Sequence, residues 1–464
     1  MPSNLIGILG IIVILAIAVA FSSNRKAIHL RVVGSAFALQ AAIAAVVLFW
    51  SGGQKAIEKL SLGVLAVIKY ANAGIDMVFG PLADVDVVGF SFAFNVLPII
   101  IFFAALMSVL YHLRIMEWLV RIVGGALHKI IGTGAIESMN AAANIFVGQT
   151  EAPLVVKPYL KGLTDEQFFT VMVSGLALIA GTVLAGYVLM GAELEYLLAA
   201  AFMAAPGGLL MAKIIMPDDE YIPPAKHERL EMERSHHKNV ILAAAAGTTD
   251  GLRLAVNIGA MLVAFVALIA LFNGLIGGVL GLVGIYGPPD LVELQQALGR
   301  VLSEAVLIPG TDKVVFEAGM TLDDVAIARI SELSIGQVEV IAPVTLQLIL
   351  GKIFQPLMFL LSVPWHEAEA AGALFGEKII LNEFVAFSHL NLYLEGMSPR
   401  TIAVTTFALC GFANLSSIAI LLGGLGVLVP EKRELIGRFG LKCVLAASLS
   451  NLMSAALAGI MLTF

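Results

Sequence analysis

Charge is what this sequence has least of. Only 13% of its 464 residues are Asp, Glu, Lys or Arg, while 59% are hydrophobic. An ordinary soluble domain carries roughly 25% charged residues. With a mean hydropathy of +0.96, composition leaves one class, a polytopic helical membrane protein. Neither the net charge of −7 nor any basic arm or basic-aromatic motif points to nucleic acid, so none is expected as a partner. Cysteine is nearly missing. Cys410 and Cys443 both lie in apolar segments, which argues against a disulfide framework. The histidines show no ligand spacing on a common face, and the His236-His237 pair in a charged loop reads as solvated. No Walker loop, His-Glu-x-x-His pair or Ser–His–Asp constellation occurs. An ATP-driven pump or a membrane protease is therefore unsupported, and ion gradients remain as the energy source. Lys and Arg are also lacking ahead of the first apolar run, Leu5–Phe21, so it reads as a span and not as a secretory signal.

What the chain does have is apolar runs of membrane length, about 20 residues. They fall near 4–21, 30–50, 90–111, 168–191, 195–216, 254–285, 400–427 and 438–463, which predicts eight transmembrane helices. Positive charge gathers in four connections: Arg25, Lys26 and Arg31; Arg114, Arg121 and Lys129; Lys213, Lys226, Arg229, Arg234, Lys238 and Arg253; and Lys432, Arg433 and Arg438. Alternating topology puts all four on one side, which the positive-inside rule makes cytoplasmic, with both termini outside. Gly52–Val88 and Arg114–His128 are amphipathic and are expected along the lipid interface. Lys226–Val240 reads as a solvated cytoplasmic helix, and Pro288–Val340, rich in acids, as a polar external insertion.

Two half-length pieces remain, near 132–162 and 344–395. Each is followed by a span interrupted by small or polar residues, Ala177-Leu-Ile-Ala-Gly-Thr-Val183 after the first and Cys410-Gly-Phe-Ala-Asn-Leu-Ser-Ser417 after the second. Broken backbone survives at membrane depth only where protein or a water-filled cavity covers it. The order of re-entrant hairpin and broken span thus occurs twice. On the topology above the hairpins enter from opposite sides, which is the pattern of an inverted repeat with a substrate site where its halves meet.

The chemistry concentrates at the breaks. In Glu137-Ser-Met-Asn-Ala-Ala-Ala-Asn-Ile-Phe-Val-Gly-Gln-Thr-Glu151-Ala-Pro153, Gly148 and Pro153 interrupt the helix and put Gln149, Thr150 and Glu151 at its tip. Intramembrane acids are functional candidates by default. Carboxylate, amide and hydroxyl together suit a neutral ligand rich in O–H and N–H groups. The absence of an Arg clamp from both hairpins argues against a carboxylate substrate. Glu383, beside Asn382 and between Phe384 and Phe387, is the corresponding acid of the second hairpin, with no base beside it. Asn414 and Ser417, three apart, read as one helix face, and Phe412 as a wall for a flat ring. Asn144 and the backbone at Val147 can coordinate a hard cation such as sodium, or Asn144 can satisfy neighbouring backbone. From these residues alone, a cation-coupled carrier of another small polar solute stays open, as does a membrane-embedded channel or enzyme.

Asn144-Ile-Phe-Val-Gly-Gln-Thr-Glu-Ala-Pro153, Leu381-Asn-Glu-Phe-Val-Ala-Phe387 and Ala408-Leu-Cys-Gly-Phe-Ala-Asn-Leu-Ser-Ser-Ile418 resemble the concentrative nucleoside transporters, sodium- or proton-coupled symporters. The resemblance covers about 1–285 and 342–464 and leaves out the insertion. It implies a transporter and not an enzyme: a homotrimer in the bacterial inner membrane that imports nucleosides such as uridine, cytidine or adenosine. Each protomer would have a scaffold and a transport domain that moves like an elevator. The implied division is 1–128 (N-terminal spans and interfacial helices, mainly scaffold), 129–192 (first hairpin and broken fourth span, transport) and 193–287 (fifth and sixth spans with a cytoplasmic amphipathic helix, scaffold). Next come 288–341 (polar external insertion), 342–427 (second hairpin and broken seventh span, transport) and 428–464 (last span). Gln149, Thr150 and Glu151 would face the nucleobase with Val183 beside it. Glu383, Asn414 and Ser417 would hold the ribose, and Phe412 would line the pocket. No cofactor is implied beyond the coupling ion. Sodium would sit at Asn144, Val147, Leu178 and Ile179, mostly on backbone carbonyls. Members typically have a hydroxyl residue where Leu178 stands, which keeps proton coupling, with Glu151 or Glu383 as carrier, beside sodium coupling.

Overall fold

The computed structural model describes residues 3–219, 237–311 and 313–462. Most of the expected charged helix Lys226–Val240 lies outside them. Because lipid offers backbone groups no partner, the apolar runs fold as helices. They are α1 (Ser3–Ala20), α2 (Leu30–Ala44), α3 (Ser51–Phe79), α4 (Leu97–His112), α5 (Ile115–Ile131), α6 (Ala135–Asn144), α7 (Asp165–Ala177), α8 (Leu184–Leu189), α9 (Leu194–Ile215) and α10 (Val240–Leu282). After the polar segment with its helix α11 (Asp324–Glu332) follow α12 (Leu346–Leu360), α13 (Trp365–Ile380), α14 (Glu383–Leu390), α15 (Pro399–Leu409), α16 (Ser416–Gly423) and α17 (Arg433–Met461). Among the described residues seven helical segments are long and apolar enough to cross a membrane, or up to eight if the bent pair α12–α13 counts as one.

The chain divides into two compact units, residues 1–265 with 351–464, and residues 266–350. At the centre of the first, α9 and α17 from Cys443 onward are buried on nearly every face and pack against each other and against α2, α7 and α15. Small residues allow this approach. A Cβ on Gly207 would lie 2.5 Å from Gln40 Nε2 and 2.6 Å from Ser450 Oγ. α5 buries Met116, Val120, Gly124, Leu127 and Ile131, the single stripe of the expected amphipathic helix. α3 buries a similar stripe, Gly53, Ile57, Ser61, Ile68, Ala71 and Ile75. By length and composition alone, Ser51–Val88 also qualifies as a span. The run expected at 254–285 belongs to a longer helix, the 43 residues of α10. Asp250 and Arg253 ended the apolar run but do not interrupt helical backbone.

Both interruptions are present. The fourth span stops at Ala177, runs extended at Leu178 and Ala180, and resumes through a short turn at Gly181–Val183 into α8. The seventh stops at Leu409 and resumes at Ser416. The first hairpin descends through α6, turns over 145–151 and returns through Ala152–Val156, whose second residue is Pro153. Ahead of the second, the chain bends by 118° between α12 and α13, and the hairpin proper is α13–α14 with its turn at Leu381–Asn382. Asn382 caps α14, its Oδ1 accepting from Val385 N–H at 3.0 Å.

The second unit departs from an all-helical reading. Pro288–Val340 is a small subdomain with four short strands, in which β1 (Asp290–Glu293) pairs antiparallel with β4 (Gln337–Val340), and β2 (Val306–Leu307) with β3 (Val314–Phe316). Leu302, Leu322, Ile330 and Val340 fill its own apolar core. Val338 and Val340 point inward and Gln337 and Glu339 outward, the two-residue period of a half-buried strand.

Candidate substrate site

The hairpins and broken spans converge on one cavity, enclosing with its mouth about 590 Å³ of empty space. Gln149, Thr150, Glu151, Val183, Glu383, Phe412, Asn414 and Ser417 all line it. The sequence reading missed Thr182, Asn382 and Ser416, also in the wall, and the apolar side that α10 contributes through Leu254, Ile258 and Met261.

Glu383 is 2% exposed and stands at the first position of α14. Its Oε1 accepts from Tyr187 O–H at 3.2 Å and its Oε2 from Asn414 Nδ2 at 2.9 Å. Tyr187 is itself held between Phe384 and Phe387, with ring centroids 4.9 and 4.6 Å away. Asn414 and Ser417 do not share a helix face. Asn414 lies in the break and caps α16, its Oδ1 accepting from Ser417 N–H at 2.9 Å and Ser416 O–H at 2.7 Å. The three-residue spacing is thus that of an N-cap. Gln149 joins the first hairpin to this group, its Nε2 donating to Ser417 Oγ at 3.4 Å, and its buried Oε1 has no partner among the described residues. Glu151 stands at the mouth of the cavity and accepts from Thr150 O–H at 3.2 Å.

One sequence reading of charge needs correction, that of Glu383, while Glu137, which had no assigned role, lies outside the cavity lining. Glu137 Oε2 accepts from Gly134 N–H at 2.8 Å at the start of α6, and its Oε1 pairs with buried Lys213 at 2.6 Å. Glu383 does have a base near it in sequence, since Lys378 is buried in the same hairpin. Lys378 is not part of the wall, so the lining carries two carboxylates and no cation. Such a surface rejects anions and accepts a neutral ligand that donates O–H and N–H bonds.

Asn144, Val147, Leu178 and Ile179 are all buried and lie outside the cavity lining. Asn144 Nδ2 donates to Asn140 O at 2.9 Å, while its buried Oδ1 has no partner among the described residues. An unpaired hard oxygen of this kind fits a sodium ligand. Leu178 supplies no side-chain oxygen, and its carbonyl already accepts from Phe412 N–H at 3.2 Å.

Comparison with known proteins agrees with this architecture. The model of the Na+ dependent nucleoside transporter C-terminus matches residues 196–323 and 314–459, that of the N-terminus residues 9–82, and one described as nucleoside recognition residues 93–194. The chain is 45% identical to the uncharacterized transporter YutK of Bacillus subtilis over 98% of both chains. It is also 45% identical to the nucleoside permease NupC of Helicobacter pylori, over 99% of this chain and 98% of the relative. Among solved structures it resembles CNTnw in an inward-facing substrate-bound state, with a TM-score of 0.82 and 44% identity over 99% of this chain and 98% of that one. An outward-facing variant of the same transporter gives a TM-score of 0.83 at 42% identity, over 100% of this chain and 98% of that one. The C-terminal family match runs through 288–340, so that segment is not foreign to the family, as the sequence reading had it. With family matches over most of its length and relatives at 45% identity end to end, this multi-pass membrane protein belongs to the Na+ dependent, concentrative nucleoside transporters, a family of transporters and not of enzymes.

Proposed function

We propose that this chain is a secondary active symporter that imports nucleosides such as uridine, cytidine or adenosine across the bacterial inner membrane. The observation that carries the reading is that both hairpins and both broken spans line one shared cavity, with two carboxylates, amides and hydroxyls and no cation among its lining residues. Gln149, Thr150 and Glu151 read the nucleobase, with Val183 packed beside it. Glu383, Asn414 and Ser417 hold the ribose hydroxyls, and Phe412 stacks against the ring. The protein works as a homotrimer in contact with lipid, and the two hairpin-and-span halves move as one body against the scaffold, as an elevator.

The coupling ion is sodium, held by Asn144 Oδ1 and the backbone carbonyls of Val147, Leu178 and Ile179. Bound there, it supplies the positive charge that ties loading of the site to the ion gradient. The unpaired buried Asn144 Oδ1 supports this reading. Proton coupling through Glu151 or Glu383 is the second reading, favoured by the missing side-chain oxygen at Leu178. Labelled uridine uptake into proteoliposomes, with sodium and pH gradients imposed separately, tests both. Saturable accumulation of intact uridine with the sodium gradient alone is expected. Accumulation only with the pH gradient would replace sodium by the proton, and accumulation with neither would overturn the symporter.

A further inference from the structure

The groups that keep the two broken spans intact lie outside the cavity. α7 ends at Ala177 and α15 at Leu409, so their last carbonyls lack intrahelical donors. Each of those ends also carries partial negative charge. In this fold the two breaks cross in direct contact. Phe412 N–H donates to Leu178 O at 3.2 Å. A Cβ on Gly411 would lie 2.8 Å from the Ala177 carbonyl oxygen, so only glycine allows the approach.

Two side chains reach this crossing. Asn451 of α17 donates its amide to Ala177 O at 2.7 Å and to Cys410 O at 2.6 Å, one carbonyl from each break. Lys378 of α13 donates its Nζ to Asn451 Oδ1 at 2.9 Å and to Ala408 O at 3.2 Å. Lys378 is fully buried, and Asn451 is 1% exposed. Among the described residues Lys378 forms no ion pair; its Nζ is held by one helix-end carbonyl and the Asn451 amide, with Glu383 the carboxylate that acts on it from further off. A buried ammonium is costly without such partners. One cation and one amide thereby satisfy orphan carbonyls of both breaks.

We propose that Lys378, acting through Asn451, is a positioning residue for transport. It pins the breaks of the fourth and seventh spans together and so sets the spacing between Val183 on one and Phe412, Asn414 and Ser417 on the other. The proposal rests on the reading of the cavity as the nucleoside site. Loss of a merely structural contact lowers the amount of folded transporter, and hence Vmax, but leaves KM alone. Loss of positioning raises KM in the transporter that does fold.

The test uses the full chain, purified, checked by size exclusion and reconstituted, with initial uridine uptake measured over a range of concentrations. Lys378→Met and Asn451→Leu are expected to raise KM at least fivefold per folded transporter, whereas Lys378→Arg, which keeps charge and donors, recovers most of the loss. A smaller rise in a folded neutral variant would overturn the proposal, and so would an Arg variant no better than Met. If neither neutral variant folds, Asn451→Asp decides. It keeps a partner for Lys378 but loses the donors to Ala177 and Cys410, so a fivefold rise supports positioning and a smaller one overturns it. Wild-type protein that takes up no uridine would count against the nucleoside reading itself and take this proposal with it.

Discussion

Glu383 shows what a single atom decides here. Both carboxylate oxygens accept, one from Tyr187 and one from Asn414. In Glu383→Gln one of these acceptors becomes a donor, so one buried partner loses its bond or the amide meets another donor. An unsatisfied buried group costs about 1–3 kcal/mol, roughly a fivefold to 150-fold loss in binding with a midpoint above tenfold. Uridine uptake by this variant is therefore expected to fall at least tenfold at unchanged membrane expression, and wild-type uptake would remove Glu383 from the site. Glu151 stands at the mouth of the cavity and has one side-chain donor, Thr150. Glu151→Gln should weaken nucleoside affinity by about tenfold, the scale of one charge-assisted hydrogen bond. Calorimetry on purified protein measures this, and unchanged affinity would make Glu151 a purely local residue of the hairpin tip.

At the scale of elements, a helix can stop inside a membrane only if its last carbonyls and first N–H groups find partners in the protein. The breaks meet this need through each other and through side chains of neighbouring helices, and the hairpin tips meet it through caps such as Asn382. The base of the first hairpin is tied down by charge. Lys213 of α9, 3% exposed, pairs with Glu137 at 2.6 Å and with Asp218 at 2.7 Å. Removing one partner of a buried pair leaves an uncompensated charge and costs about 3–5 kcal/mol. Lys213→Met should accordingly lower the melting temperature of the purified protein sharply while leaving the KM of whatever folds unchanged. A melting curve that overlays the wild type would show that Glu137 finds another partner.

At the scale of the molecule, the segment around Pro288–Val340 is built to be separable. It has its own apolar core, and Asp290 pairs directly with Val340. Partners in an antiparallel ladder have Cα atoms about 4.5–5.5 Å apart, so a short Gly-Ser linker can replace what lies between them. With 291–339 excised in this way, the transporter should still take up uridine measurably in proteoliposomes. A folded but inactive deletion would place part of the transport machinery in this subdomain.

The sequence by itself determined the class and the kinds of chemistry. Low charge and membrane-length apolar runs leave only helices in a bilayer, because lipid satisfies no backbone group. Gly148, Pro153, Gly181 and Gly411 mark where those helices stop, and the polar residues beside them are too costly in lipid to be incidental. Six polar residues singled out on that ground, Gln149, Thr150, Glu151, Glu383, Asn414 and Ser417, line one cavity, together with Phe412 and with Val183, which only the family resemblance had named. Tertiary structure alone decided which breaks touch and which charges are buried. Lys378 sits beside Glu377, and nothing in the local sequence marks it as buried. Its burial comes from elements far along the chain that close over it. Asn451 lies in a run of small residues that predicts close helix packing but names no partner. Spacing along a helix fixes a face, not what that face meets. The crossing of Leu178 with Phe412 joins residues more than two hundred positions apart, and no local pattern encodes such a contact.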